Sequence, residues 1–213
     1  MKKSLARKLS VFFAGIVFIT CLVLVGLTVM IFGNIEDRMK DVLYENTLQS
    51  YKTEVKSEVQ SAISSIEYYY NLSDSGKIDE ATAKKDALEA LRNLRYGDDD
   101  SGYFWVDDTD YNLVMHPILP EQEGTNRYDL TDKNGVKIIQ SIMKTAESGG
   151  GFNEFYFTKS DGKTVAPKVA YSQKFDKWNW VITTGIYSDD IHEIVNKSDG
   201  LRRIVKIFNG SAN

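Results

Sequence analysis

One cysteine, three prolines, two histidines and no dense run of Lys and Arg beyond the N-terminus restrict the chemistry open to this chain of 213 residues. The single cysteine, Cys21, lies inside an apolar run. No intrachain disulfide and no thiolate metal cluster can form, so any domain must hold itself together by packing. A formal net charge of -4 offers no basic field for a polyanion, and nucleic acid is not an expected partner. Nucleophilic catalysis would require a Ser or Cys partner for His116 and an orienting acid, yet no GxSxG elbow is present. The expectation is a non-enzymatic protein without a cofactor.

A calcium loop is suggested by Asp108, Asp110 and Asn112, but Leu113 and Leu119 occupy the positions that need glycine and a bidentate acid. A solvated turn explains these residues. Asp107 and His116 make too small a set for a metal site, and none is expected.

Charge is also missing from Val11 to Phe32, VFFAGIVFITCLVLVGLTVMIF. At about 1.5 Å of rise per residue this run spans roughly 33 Å, the thickness of a bilayer core. It exceeds the usual apolar region of a cleaved signal peptide and ends without a small-residue cleavage site. Lys2, Lys3, Arg7 and Lys8 precede it, and Glu36 and Asp37 follow. By the positive-inside rule the N-terminus is cytoplasmic and the remainder lies outside the inner (plasma) membrane, with the lipid bilayer as a partner. The expected organisation is a cytoplasmic N-terminus (residues 1–10), a transmembrane helix (11–33), an extracytoplasmic domain (34–191) and a C-terminal tail (192–213). The tail ends in the polar and basic LRRIVKIFNGSAN. It leads towards a second membrane helix that is missing here, as in a fragment of a receptor, or absent from a single-pass protein.

From Ile35 to about Leu72 apolar residues recur at helical spacing: Leu48, Tyr51, Val55, Val59, Ala62, Ile66 and Tyr70. The stripe predicts a long amphipathic helix packed on the domain. Ile35, Met39 and Val42, nearer the membrane, require another helix, and a homodimer supplies it. A second helix follows Asp74-Ser75-Gly76, with Ala87, Leu88, Leu91 and Leu94 on one face.

After the acidic turn Asp98–Ser101, β-branched and aromatic residues predict five strands: Tyr103–Val106, Tyr111–His116, Phe152–Thr158, Thr164–Gln173 and Trp180–Tyr187. The crossing segment Ile118–Gly151 holds a helix from about Asn134 to Ser148, ended by three glycines. Helices followed by antiparallel strands make an α+β layer fold, with one sheet face on a core and the other free to hold a site.

The strands carry an unusual aromatic load: Tyr103, Trp105, Phe155, Phe157, Tyr171, Trp178, Trp180 and Tyr187, with His116 and Lys168 among them. Phenol, indole, imidazole and ammonium groups can each donate to a carboxylate while the rings enclose its short tail. The same side chains also suit a half-buried sheet core. An inward-turned Asp107 would favour an amine or urea instead.

GYFWV, then HP, EGTN, DLTDKNG, GGGF, PKVAY and WNWVITTGIYSDDI follow one another in order, and this series resembles the single Cache domain (sCache, type 2) of bacterial methyl-accepting chemotaxis proteins and related transmembrane receptors. The resemblance runs from about Ile35 to Ile191. It implies a long helix followed by a PAS-like five-stranded antiparallel sheet, held outside the membrane, with a small-molecule pocket above the sheet. Ligands of this branch are often short organic acids such as acetate, propionate, lactate or pyruvate. By motif position the resemblance assigns Tyr103, Trp105, His116, Lys168 and Tyr171 to ligand binding. Arg95, just ahead of the first strand, either pairs with the carboxylate or caps the preceding helix. The expected function is an extracytoplasmic small-molecule sensor of a chemoreceptor. The alternatives are the sensor of a histidine kinase or cyclic-dinucleotide enzyme, and a membrane-anchored protein-interaction domain.

Overall fold

A computed structural model describes residues 2–97, 100–159 and 161–197. The acidic turn residues Asp98 and Asp99, Ser160 between the third and fourth expected strands, and the tail from Ser198 lie outside these residues.

The chain divides into two compact units. The first, up to Glu45, is the leading part of the helix α1 (Lys2–Asp74). Its side chains from Val11 to Phe32 are exposed, and this helix is long and apolar enough to cross a membrane.

The second unit begins at Asn46 and contains the remainder of α1, α2 (Glu80–Asn93) and a five-stranded sheet. Its strands are β1 (Trp105–Asp108), β2 (Leu113–Met115), β3 (Gly151–Thr158), β4 (Val165–Phe175) and β5 (Trp180–Tyr187). Their order is β2-β1-β5-β4-β3, antiparallel throughout. Two further helices complete it: α3 (Ile138–Glu147) and α4 (Ser188–Lys197). The long helix and the five-stranded antiparallel sheet match the fold expected from the sequence.

Side-chain alternation divides the core into two layers. On one face, Val55, Val59, Ala62 and Ile66 of α1 and Ala83, Ala87 and Leu91 of α2 pack on Phe104, Val106, Met115, Tyr171, Phe175, Trp180 and Ile182. Burying each large aliphatic side chain contributes about 1.5–3 kcal/mol, so the stripe of α1 anchors this layer. The Asp79 carboxylate caps α2 by accepting from the Thr82 N–H at 2.9 Å. On the other face, Ile138, Ile139, Ile142, Met143 and Ala146 of α3 cover Trp105, Phe155, Phe157, Ala166, Ala170 and Val181.

Three local features depart from the sequence expectation. The first hairpin is shorter, because the Asp108 carboxylate accepts from the N–H groups of Asp110 and Asn112 and curls the chain into a turn with Tyr111 at φ 69°. That turn is the role of the residues that resembled a calcium loop. Helix α3 starts four residues later than Asn134, since Asp132 Oδ1 accepts from Asn134 N–H and Val136 N–H and holds that stretch in a turn. Its end is as expected, with Gly149 and Gly150 at φ 100° and 97°, a conformation that disfavours side chains. Helix α4 begins at Ser188, inside the expected domain, and continues to Lys197 in the region read as a tail.

β1 and β2 carry a one-residue register shift: Val106 pairs with Met115, but Asp107 pairs with Leu113. The extra residue, Val114, puts Leu113 and Met115 in opposite core layers. It therefore turns His116 towards the α3 side of the sheet.

Candidate functional site

Beneath α3 and the crossing segment, Lys168 of β4 is buried to 1% exposure. Its Nζ lies 3.0 Å from the Tyr103 hydroxyl and 3.4 Å from that of Tyr187. The rings of Tyr103, Tyr187, Trp105 and Phe157 surround it at 4.1, 4.6, 4.9 and 5.8 Å from their centroids. These faces favour a cation. Burial acts more strongly in the opposite direction and pulls the lysine below its ordinary pKa, with Tyr103 opposing.

His116, also fully buried, lies against three of the same rings: Tyr103, Trp105 and Phe157, with centroids 5.4–5.9 Å apart. Its Nδ1 accepts from the backbone N–H groups of Ile118 and Leu119 at 3.1 and 3.2 Å. That nitrogen carries no proton, so the neutral ring carries its hydrogen on Nε2. Nε2 is buried and has no partner among the described residues. Burial, reinforced by the positive charge of Arg127, by that of Lys168 when it is protonated, and by that of Arg92, brings the imidazole pKa down to about 3. His116 is thereby fixed as a neutral donor.

The floor beside these groups holds a buried ion pair. Arg127 Nε and Nη2 both donate to Asp107 Oδ1, the former at 3.0 Å. Burial raises the Asp107 pKa and Arg127 opposes that rise. Asp107 therefore answers the charge of Arg127. Among the described residues, the second carboxylate oxygen of Asp107 and Nη1 of Arg127 make no well-formed hydrogen bond. The Trp105 indole N–H also lacks a well-formed hydrogen bond. At the rim, Tyr187 donates to the Thr158 carbonyl, and its hydroxyl lies 3.3 Å from that of Tyr103. Lys159, bound to Asp189 at 2.8 Å and Asp190 at 2.6 Å, sits over the Tyr187 ring.

Of the residues singled out in the sequence, Tyr103, Trp105, His116 and Lys168 meet in this cluster. Tyr171 does not. It follows Lys168 by three positions on β4 and so faces the α1 and α2 layer, where its ring packs edge-on against Phe152. Arg95 is exposed and donates to the carbonyls of Arg92 and Leu94, both at 2.8 Å. It caps the end of α2. Tyr187 and Arg127, which were not proposed as ligand contacts, border the cluster instead. Strand alternation back from Tyr187 to Val181, a member of the same layer, carried the signal for the tyrosine. Only the need of a buried Asp107 for a counter-charge pointed towards the arginine.

The family model described as Single Cache domain 2 matches residues 47–199. Among curated proteins, the chain is 34% identical over 159 residues to the sensor histidine kinase MctS of Rhizobium johnstonii, covering 75% of this chain and 33% of that one. It is 27% identical over 150 residues to the methyl-accepting chemotaxis protein McpP of Pseudomonas putida, covering 70% of this chain and 27% of that one. The chain thus spans about a third or less of the length of these relatives. A solved structure described as showing carboxylic acid recognition by a Cache chemosensory domain aligns with a TM-score of 0.63 at 26% identity, covering 67% of this chain and 97% of that one. Domains of this kind are the sensory modules of chemotaxis receptors and sensor histidine kinases. The chain belongs to the single Cache domain 2 family.

Proposed function

We propose that this domain binds a short-chain carboxylate of the acetate, propionate, lactate or pyruvate type between Lys168 and His116. The observation that carries this reading is the imbalance of charge and hydrogen bonding there. Arg127 has Asp107, whereas Lys168 has phenol hydroxyls and ring faces, and the His116 Nε2–H has no acceptor. A carboxylate supplies one negative charge and four acceptor sites, and the rings of Tyr103, Trp105 and Phe157 suit its short tail. With about 1.5 kcal/mol per heavy atom at best, four-atom acetate reaches roughly 6 kcal/mol, a dissociation constant of tens of micromolar.

The apolar part of α1 anchors the protein in the inner membrane, with the sheet on the extracytoplasmic side. Ile35 and Val42, 46% and 59% exposed, are the surface on which a second copy completes a homodimer. Ligand binding shifts the sheet against the helix layer, and α1 passes that displacement into the membrane. The output is chemotaxis. A histidine kinase is the second reading, favoured by the 34% identity to MctS.

A thermal-shift screen of the chain in detergent against short carboxylates, amines and urea tests the assignment. A two- to four-carbon acid is expected to raise the melting temperature, and the shift should be lost in Lys168→Ala. The His116→Ala variant should weaken binding by about 1.5–3 kcal/mol. An amine or urea response in place of the acid response would overturn the carboxylate reading.

A further inference from the structure

Lys168 poses a problem of charge balance before any ligand arrives. The segment leading into β1 contributes Tyr103, whose hydroxyl is its nearest polar partner. β1 itself contributes Asp107, already engaged by Arg127 of the crossing segment. The end of β2 contributes His116, neutral because its Nδ1 accepts two backbone hydrogen bonds. From β3 come Phe155 and Phe157, and α3 turns only Ile138, Ile139, Ile142, Met143 and Ala146 into this layer. β5 contributes Tyr187, a phenol whose pKa burial pushes further up. Asp189 and Asp190 of α4 are bound to Lys159, beyond the Tyr187 ring.

Among the described residues, therefore, no carboxylate is left over for Lys168. A buried lysine without a counter-ion sheds its proton more readily than one in water, and the depressed pKa of this side chain follows the same physics. A fully buried Nζ whose polar neighbours are phenol hydroxyls favours the neutral amine in the free site. A carboxylate ligand restores the missing charge and makes the ammonium the favoured form.

Resting on the carboxylate reading above, we infer that this site takes up one proton from solution for each carboxylate anion it binds. The balance is amine plus carboxylate plus one proton, giving an ammonium–carboxylate pair with no covalent bond made or broken. A proton held on the ligand oxygen instead of Nζ leaves the same stoichiometry. The receptor then reads the product of acid concentration and proton activity.

Calorimetry of the full chain in detergent, with acetate and propionate in phosphate and in Tris, measures this directly, because the two buffers release a proton at different enthalpic cost. The expected result is a binding enthalpy that changes with buffer ionisation heat by close to one proton. The dissociation constant should rise with pH, by up to about tenfold per unit, wherever the free site is an amine and the bound one an ammonium. Lys168→Met, which places an apolar chain of similar length in an apolar site, should abolish the buffer dependence of any residual binding. His116→Gln should weaken binding and keep it. Acid binding with the same enthalpy in both buffers and a flat pH profile would overturn the proton inference and leave the carboxylate reading standing. Uptake undiminished in Lys168→Met would overturn it as well, by placing the proton elsewhere. Absence of any acid response would overturn both together.

Discussion

The carboxylate of Glu123 joins two elements: Oε1 accepts from the His116 backbone N–H at 2.8 Å, and both oxygens bind Arg92 of α2, at 2.7 and 2.8 Å. One side chain thus fixes the strand end that carries the buried imidazole to a helix on the opposite face of the sheet. Burial tends to raise the Glu123 pKa, but the hydrogen bonds from Arg92 and His116 prevail and hold it below the ordinary carboxylate value. Its contribution is present above the unfolded value of 4.5 and is lost as pH falls through the folded one. Glu123→Gln, which keeps the shape and removes the charge, should weaken acid binding by about 1 kcal/mol, read by calorimetry. It does so by loosening His116, so combining it with His116→Ala should add little.

His116 makes the domain sensitive to acid. Its folded pKa of about 3 lies below the unfolded value of 6.5, so the native state binds fewer protons between the two. Stability is fully present above 6.5 and declines as pH falls towards 3. By about pH 4.5 the loss amounts to roughly 2–3 kcal/mol, visible in urea unfolding. His116→Gln should remove that part of the pH dependence.

Arg127→Met strands the Asp107 carboxylate, which is fully buried. Breaking a buried pair from one side costs about 3–5 kcal/mol, so the melting temperature should fall sharply. Asp107→Leu combined with Arg127→Met should recover most of it. A double variant as unstable as the single one would mean that packing, not charge, holds Arg127 in place.

Gly185 of β5 faces Ala170 of β4 in register. A Cβ at position 185 would come within 2.4 Å of the Val169 carbonyl oxygen and 2.7 Å of the Ala170 Cα, both backbone atoms that cannot swing aside. Gly185→Ala should cost about 1–3 kcal/mol through displacement of the central strand pair, measured by denaturant titration.

Much of this architecture was legible in the sequence because it rests on periodicity. The 3.6-residue stripe from Val55 to Ile66 is the one that packs on the sheet, and the aromatic runs formed the strands. The residues that alternation governs were legible too. Counting by two from Lys168 separates Ala166 and Ala170, on the α3 side, from Tyr171 on the other. Arg95 followed the ordinary behaviour of an arginine at a helix end. What periodicity could not supply were features set by one atom's need for a partner. The bulge at Val114 that turns His116 inward has no composition signal. Arg127 finds Asp107 20 positions away along the chain, with β2 and a loop between them.

The two backbone amides that cap His116 Nδ1 have a further consequence for discrimination between molecules of identical outline. Acetate and acetamide differ in little beyond an oxygen exchanged for an NH2 group. Rotating the imidazole proton to the other nitrogen would let a pocket tolerate both, but here that proton cannot move without orphaning Ile118 N–H and Leu119 N–H. An amide nitrogen brought to Nε2 would meet hydrogen against hydrogen. Buried polar groups left facing like groups reject an isostere far more strongly than a missing methylene does. For a ligand held at Nε2 as proposed, the backbone at 118 and 119 would sort molecules by the sense of their hydrogen bonds rather than by their size.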